Sequence, residues 1–264
     1  MNFQESLDSL PIVGVFLAFA MVALIVYEVG FRVGRWLQKR TPEEQEGPTG
    51  MLVGSLLALM AFMLAITMGM ASDRFDTRRG LILTEANSIG TTYLRAGYLP
   101  GSASSESQEL LREYVPLRIL GSGVKDLGAK IARSVEIHTE LWSMAEDLAR
   151  ATPDSDVLAL YIESLNETID LHETRITAGL YARVPETVLI LLIVGSALTL
   201  GMVGFGAGLT GLRSPLTAVV MIVVLGAVVT LVVDLDRPRD GFLAVSDRPL
   251  IDLQQQLGPP SSPN

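Results

Sequence analysis

The side chains that most often carry chemistry are scarce here. The 264 residues include no cysteine and only two histidines, which removes thiolate metal sites, disulfides and cysteine nucleophiles from consideration. His138 falls in the apolar series Ile131, Val135, His138, Trp142, Ala145, and His172 in Leu158, Leu165, Ile169, His172, Ile176, Leu180. Two readings stand: a pH-sensitive pair on neighbouring helices, or two separate, hydrogen-bonded core histidines. The second is the ordinary one. Neither histidine has a second ligand at i+3 or i+4, so a metal site is disfavoured. No nucleophile–base pair appears either, so the sequence reads as a non-enzyme with no cofactor.

The charged residues concentrate where long apolar runs end. Asp73, Arg74, Asp76, Arg78 and Arg79 follow one run, Arg183 and Glu186 precede another, and Asp234, Asp236, Arg237 and Arg239 follow a third. Mixed charge so close to lipid is expensive unless paired. A salt-bridged collar at one membrane interface is expected, with Asp236 and Arg237 paired to the 73–79 segment. The competing reading is the vestibule of an ion path.

Within residues 47–72, Gly50, Gly54, Ala58, Ala61, Ala65 and Gly69 recur every three or four positions, a ladder that lets helices approach closely in lipid. Beside it run Met60, Met63, Thr67 and Met70. These are the pore-lining candidates, a soft apolar stripe of the kind that gates by dewetting, although packing or lipid contact is the more ordinary reading of such a stripe. Gly201, Gly204, Gly206, Gly208 and Gly211 carry no Lys-Ser or Lys-Thr after them, so they are not a phosphate loop. They are expected to pack tightly into the hairpin between the last two spans, with a broken helix at an ion site as the alternative.

The elements that must position these residues are membrane helices. Hydrophobic residues make up 49% of the chain and mean hydropathy is +0.40, high for an ordinary soluble protein. Four uncharged runs, 9–27, 47–72, 187–212 and 214–233, are each long enough to cross a bilayer. The second passes without proline into a stretch whose apolar residues Phe75, Ile82, Ala86, Ile89 and Tyr93 keep a helical period. The fold class is therefore all-α, four spans with a helical bundle inserted between spans 2 and 3. The expected division is 1–48 (first span and basic loop), 49–72 (second span), 73–184 (helical domain), 185–234 (hairpin of spans 3 and 4) and 235–264 (tail). Net charge is −9, without a basic footprint for nucleic acid.

Parity places the N-terminus, the helical domain and the C-terminus on one face. Arg32, Arg35, Lys39 and Arg40 sit in the first loop, which the positive-inside rule assigns to the cytoplasm. An extracytoplasmic helical domain in a bacterial inner membrane follows as the expectation.

Three segments carry a resemblance. They are Glu85-Ala86-Asn87-Ser88-Ile89-Gly90-Thr91-Thr92-Tyr93-Leu94-Arg95, then Leu111-Arg112-Glu113-Tyr114-Val115-Pro116-Leu117-Arg118, then Asp236-Arg237-Pro238 with Val245-Ser246 and Pro249-Leu250. Together they resemble the bestrophin-like membrane proteins of bacteria, with Glu85, Asn87, Gly90, Arg95 and Pro238 as motif residues. The resemblance implies distant kinship with bestrophins, oligomeric anion channels whose second membrane helix lines the pore. Bestrophins keep their helical domain in the cytoplasm, which conflicts with the charge-based orientation. No acidic cluster matches a calcium clasp. The expected partners are the lipid bilayer, further copies of the chain and small inorganic ions. The expected function is an oligomeric anion channel with span 2 nearest the pore; the alternative is a non-conducting sensor or scaffold whose helical domain binds a partner.

Overall fold

The computed structural model describes residues 3–40, 46–121, 126–180, 182–211, 213–237 and 241–259. Of the described residues 86% are helical, and no strand occurs among them. In order the helices are α1 (Phe3–Asp8), α2 (Ile12–Arg40), α3 (Glu46–Ala96), α4 (Ser102–Arg118), α5 (Leu127–Ala151), α6 (Asp156–Leu180), α7 (Glu186–Thr210), α8 (Pro215–Asp236) and α9 (Arg248–Leu257). They form two compact units. A membrane unit comprises Met1–Arg74 and Arg183–Leu243; a helical unit comprises Phe75–Ala182 and Ala244–Asn264. The spans are α2, α3 from Thr49, α7 and α8, each long and apolar enough to cross a bilayer.

In the membrane unit α2 packs chiefly along α7 and less extensively on α8. Glycine makes the α2–α7 seam. A Cβ at Gly30 would fall on the Gly201 carbonyl, at Gly34 on that of Phe205, at Gly204 on that of Tyr27, and at Gly208 on that of Phe31. Backbone meets backbone along this line, the close approach that small residues permit in lipid. Gly201, Gly204 and Gly208 of α7 thus serve α2, whereas the sequence reading assigned them to the α7–α8 hairpin. Helix α7 ends toward that hairpin at Gly211, at φ 71°, a left-handed conformation that glycine adopts freely. The ladder on α3 behaves differently. Gly50, Gly54 and Gly69 have no atom within 4 Å of a built Cβ, and Ala58, Ala61 and Ala65 are exposed as well.

The helical unit has a conventional core. Ile89, Leu111, Tyr114, Ile137, Leu141, Tyr161, Leu165 and Leu250 are buried to 1% exposure or less, drawn from α3, α4, α5, α6 and α9. Between α3 and α6 the contacts are small and polar. Ser88 Oγ and Thr168 Oγ1 lie 2.9 Å apart, and Thr92 Oγ1 donates to Ser164 O at 2.9 Å. Helix α9 has no counterpart in the sequence reading. Its spacing of Leu250, Leu253 and Leu257 is helical and amphipathic, yet ten residues beside a Pro-rich end are a short signal. Leu253 Cδ1 lies 3.4 Å from a Cβ built on Gly90, so α9 packs beside this part of α3.

Two glycine substitutions separate the seam from the exposed ladder. Gly204→Ala forces α2 and α7 apart and should destabilise the protein by about 1–3 kcal/mol, the usual overpacking range. Gly54→Ala meets no atom of its own subunit and should not lower the melting temperature of the detergent monomer, alanine being favoured over glycine inside a helix by about 0.5–1 kcal/mol. Thermal melts of both variants in detergent check this, and equal effects would dismiss the seam.

Candidate functional site

Glu85 lies mid-helix on α3 with a fully buried side chain. An isolated ionised carboxylate in such a place is very costly, so it must be paired. Arg118 Nε on α4 donates to its Oε1 at 2.7 Å, and Arg175 Nη1 on α6 donates to its Oε2. Arg175 continues outward. Its Nη1 donates to Arg118 O at 3.0 Å and its Nη2 to Asp247 Oδ1 at 3.0 Å, while Asp247 Oδ2 accepts the Leu120 amide at 2.8 Å. Two carboxylates and two guanidiniums thus tie α3, α4, α6 and the entry to α9 together.

The two histidines stand beside this knot. Tyr114 OH and His172 Nδ1 lie 3.2 Å apart, and the His138 and His172 rings meet edge to face with centroids 4.8 Å apart. Of the two readings open at the sequence level, the geometry brings the histidines into contact. Burial, then the nearby Arg118 charge, pushes His138 down to about 4 and His172 down to about 3. Burial likewise pushes the Tyr114 phenol up, so both rings are neutral and the phenol is protonated at pH 7.

The charges expected at the membrane interface fall as follows. In the membrane unit Arg183 clamps Asp8 with Nη1 and Nη2, at 2.6 and 3.0 Å, and reaches Asp236 Oδ2 with Nε at 3.3 Å. Asp236 also accepts the Val184 amide at 2.6 Å. Arg237 donates to the Leu7 and Leu10 carbonyls, and Asp234 caps the Phe242 and Leu243 amides, both at 3.0 Å. Asp8 joins this cluster from outside the expected set; it is the residue just before the first uncharged run. Of the rest, Asp73, Asp76 and Arg79 are exposed, Arg74 and Glu186 are half-buried, and Arg78 is buried at 6% exposure. Arg239 and the motif residue Pro238 lie outside the described residues.

On α3, Met60 and Thr67 are buried at 5% and 0% exposure, with Met63 and Met70 half-buried. Met60 Sδ lies 2.8 Å from a Cβ built on Gly195 of α7, and Thr67 bonds its own helix at Met63 O and Leu64 O. Among the motif residues, Glu85 is in the knot, Gly90 accepts Leu253, Arg95 donates to Leu160 O at 2.6 Å, and Asn87 is exposed. Sequence reasoning did not single out Arg118, Arg175 or Asp247. A signal existed, because Arg118 follows Tyr114 by four residues and Arg175 follows His172 by three, so both arginines share an apolar helix face.

Glu85→Ala leaves two guanidiniums buried without their shared carboxylate and should cost about 3–5 kcal/mol, read by denaturant unfolding. The histidines give a pH signature. Their folded values lie below the unfolded value, so their stabilising contribution is complete above about pH 6.5 and is lost as pH falls from there toward 4. The slope in that window should approach about 1.4 kcal/mol per pH unit per histidine. Replacing both histidines with glutamine should flatten melts recorded between pH 7.5 and 5.

A Bestrophin-like domain model matches residues 14–250. No curated protein matches the sequence. Among solved structures, a bacterial bestrophin homolog from Klebsiella pneumoniae carrying a point mutation superposes with a TM-score of 0.64 at 17% identity, covering 93% of this chain and 99% of that one. A second structure of a bestrophin homolog from the same organism gives 0.64 at 16%, covering 92% and 98%. These likenesses carry the fold, and the family model carries the kinship. The chain is a multi-pass membrane protein that belongs to the Bestrophin-like family.

Proposed function

We propose that the chain is the subunit of a homo-oligomeric, anion-permeable channel in the bacterial cytoplasmic membrane, with α3 nearest the axis, and that it catalyses no reaction. One observation supports this above the others. Only 11% of the apolar window of α3 is buried within the subunit, against 28%, 33% and 33% for α2, α7 and α8. The exposed surface carries the small-residue ladder Gly50, Gly54, Ala58, Ala61, Ala65 and Gly69 together with large apolar residues such as Leu59 and Phe62. Lipid gives helices no hydrophobic reason to associate, so faces that admit close backbone approach are the ones neighbours use. In this reading Met63 and Met70 flank the ladder as the accessible part of the pore-lining stripe, and Met60 and Thr67 brace α3 from behind. Anions rest on kinship with bestrophins. The helical unit is taken as extracytoplasmic on the charge of the first loop.

Because the chain is Cys-free, single cysteines report proximity cleanly. Cysteine at Ala65 should form an intersubunit disulfide under mild oxidation, whereas cysteine at Leu191, exposed on α7, should not. Proteoliposomes should pass chloride faster than empty vesicles; no flux at any pH or voltage sinks the channel reading. A second reading keeps the oligomer without conduction, as a sensor or scaffold. It draws on Leu94 in the last turn of α3 and Tyr98 just beyond its end, 70% and 74% exposed in the helical unit, where a protein partner would cover them. Crosslinking at Ala65 together with absent flux selects it.

A further inference from the structure

Three buried nitrogens of the helical unit make no hydrogen bond to any described group: Nη2 of Arg118, Nε2 of His138 and Nε2 of His172. Their residues are 1%, 7% and 0% exposed. They are neighbours. The imidazole centroids lie 4.8 Å apart, the Tyr114 ring lies 5.0 Å from His138 and 6.3 Å from His172, and the Arg118 guanidinium carbon lies 5.8 Å from the Tyr114 ring. Buried polar atoms are nearly always satisfied, so three together in one cluster are exceptional.

At least two of the three are donors. The guanidinium has no acceptor to offer, and its Nε is already committed to Glu85 Oε1. The other Glu85 oxygen accepts from Arg175, and Arg118 Nη2 bonds to neither oxygen. Assigning the Tyr114 proton to His172 Nδ1 leaves Nε2 of the neutral ring as an N–H. At least two donors therefore lack an acceptor, one of them on the positive guanidinium that Glu85 already pairs. The same charge opposes a divalent metal between the imidazoles.

We infer that Arg118, His138 and His172 form a buried site for one small monovalent inorganic anion, of the halide or nitrate class. The site lies in the helical unit and stands apart from permeation: a chain that conducts nothing keeps it. Filling it ties α4, α5 and α6 at one point, beside the knot on Glu85. Charge-assisted hydrogen bonds of this kind are the strong ones, and a water molecule would bring hydrogens of its own that need further acceptors.

The test uses the purified full-length protein in detergent at constant ionic strength, exchanging gluconate for chloride or bromide, so that general screening does not change. The melting temperature should rise saturably, by roughly 3–5 °C, with the small anions and not with gluconate. In His172→Leu and His138→Leu the anion-dependent part should vanish, while Arg150→Ala, at an exposed ion pair on α5, keeps it. Crystals grown in bromide should show an anomalous peak in contact with Arg118 Nη2. A melting temperature indifferent to the anion overturns the inference and leaves water as the occupant. A bromide peak without stabilisation in solution, an adventitious ion only, overturns it equally. If the leucine variants do not fold, the wild-type titration and the bromide map decide between these outcomes.

Discussion

Glu85 is a carboxylate removed from water, and much of the helical unit is arranged around making that tolerable. A buried charge can be neutralised, paired or expelled, and here it is paired twice, by guanidiniums arriving on two different helices. The two-fold pairing sets the relative positions of α3, α4 and α6 more narrowly than apolar contact would, because hydrogen bonds to a carboxylate fix direction as well as distance. Arg175 hands the constraint on to Asp247, and Asp247 to the Leu120 amide, so the segment after α4 and the start of α9 are positioned by the same chain of charges. Replacing such a cluster by apolar residues can be neutral for stability, which makes specificity of arrangement the stronger account of its presence.

The membrane unit solves a different problem with different means. Between lipid-facing helices no hydrophobic gradient exists, so association depends on dispersion contacts at short range. The glycines at 30, 34, 201, 204 and 208 bring the α2 and α7 backbones to their closest approach, and the polar contacts gather at the end of the unit, around Arg183, Asp236 and Arg237. Asp234 and Asp236 each satisfy backbone amides where helices end, a use for intramembrane-edge acids that requires no ion path.

Much of this was legible from residues alone, because the signals were long. Four uncharged runs give four spans, and the helical period beyond residue 72 gives the continuation of α3. What could be read only partly were relations across the chain. The α7 glycines announce close packing but do not name their partner, since a small residue is equally small toward α2 and toward α8. Asp8 lies 175 residues from Arg183, and Glu85 lies 90 from Arg175; nothing local marks such pairs. The charges on the apolar stripes of α4 and α6 were the available clue, because an arginine on a buried face requires a counter-charge. Helix α9 was missed since a ten-residue amphipathic pattern is too short to stand out, and its helicity comes from docking rather than propensity.

The helical unit is built from two pieces of chain, and the 61 residues 183–243 that separate them belong to the membrane unit. During synthesis Glu85, Arg118 and Arg175 are all available before either of the last two spans exists, but Asp247 and the core residue Leu250 are not. At roughly 5–20 residues per second the missing piece arrives on the order of 3–12 s later. For that interval Arg175 lacks its outer carboxylate and the floor that α9 provides is open. Completion of the helical unit is therefore timed by insertion of the α7–α8 pair, which makes correct threading of the last hairpin a condition for closing the core.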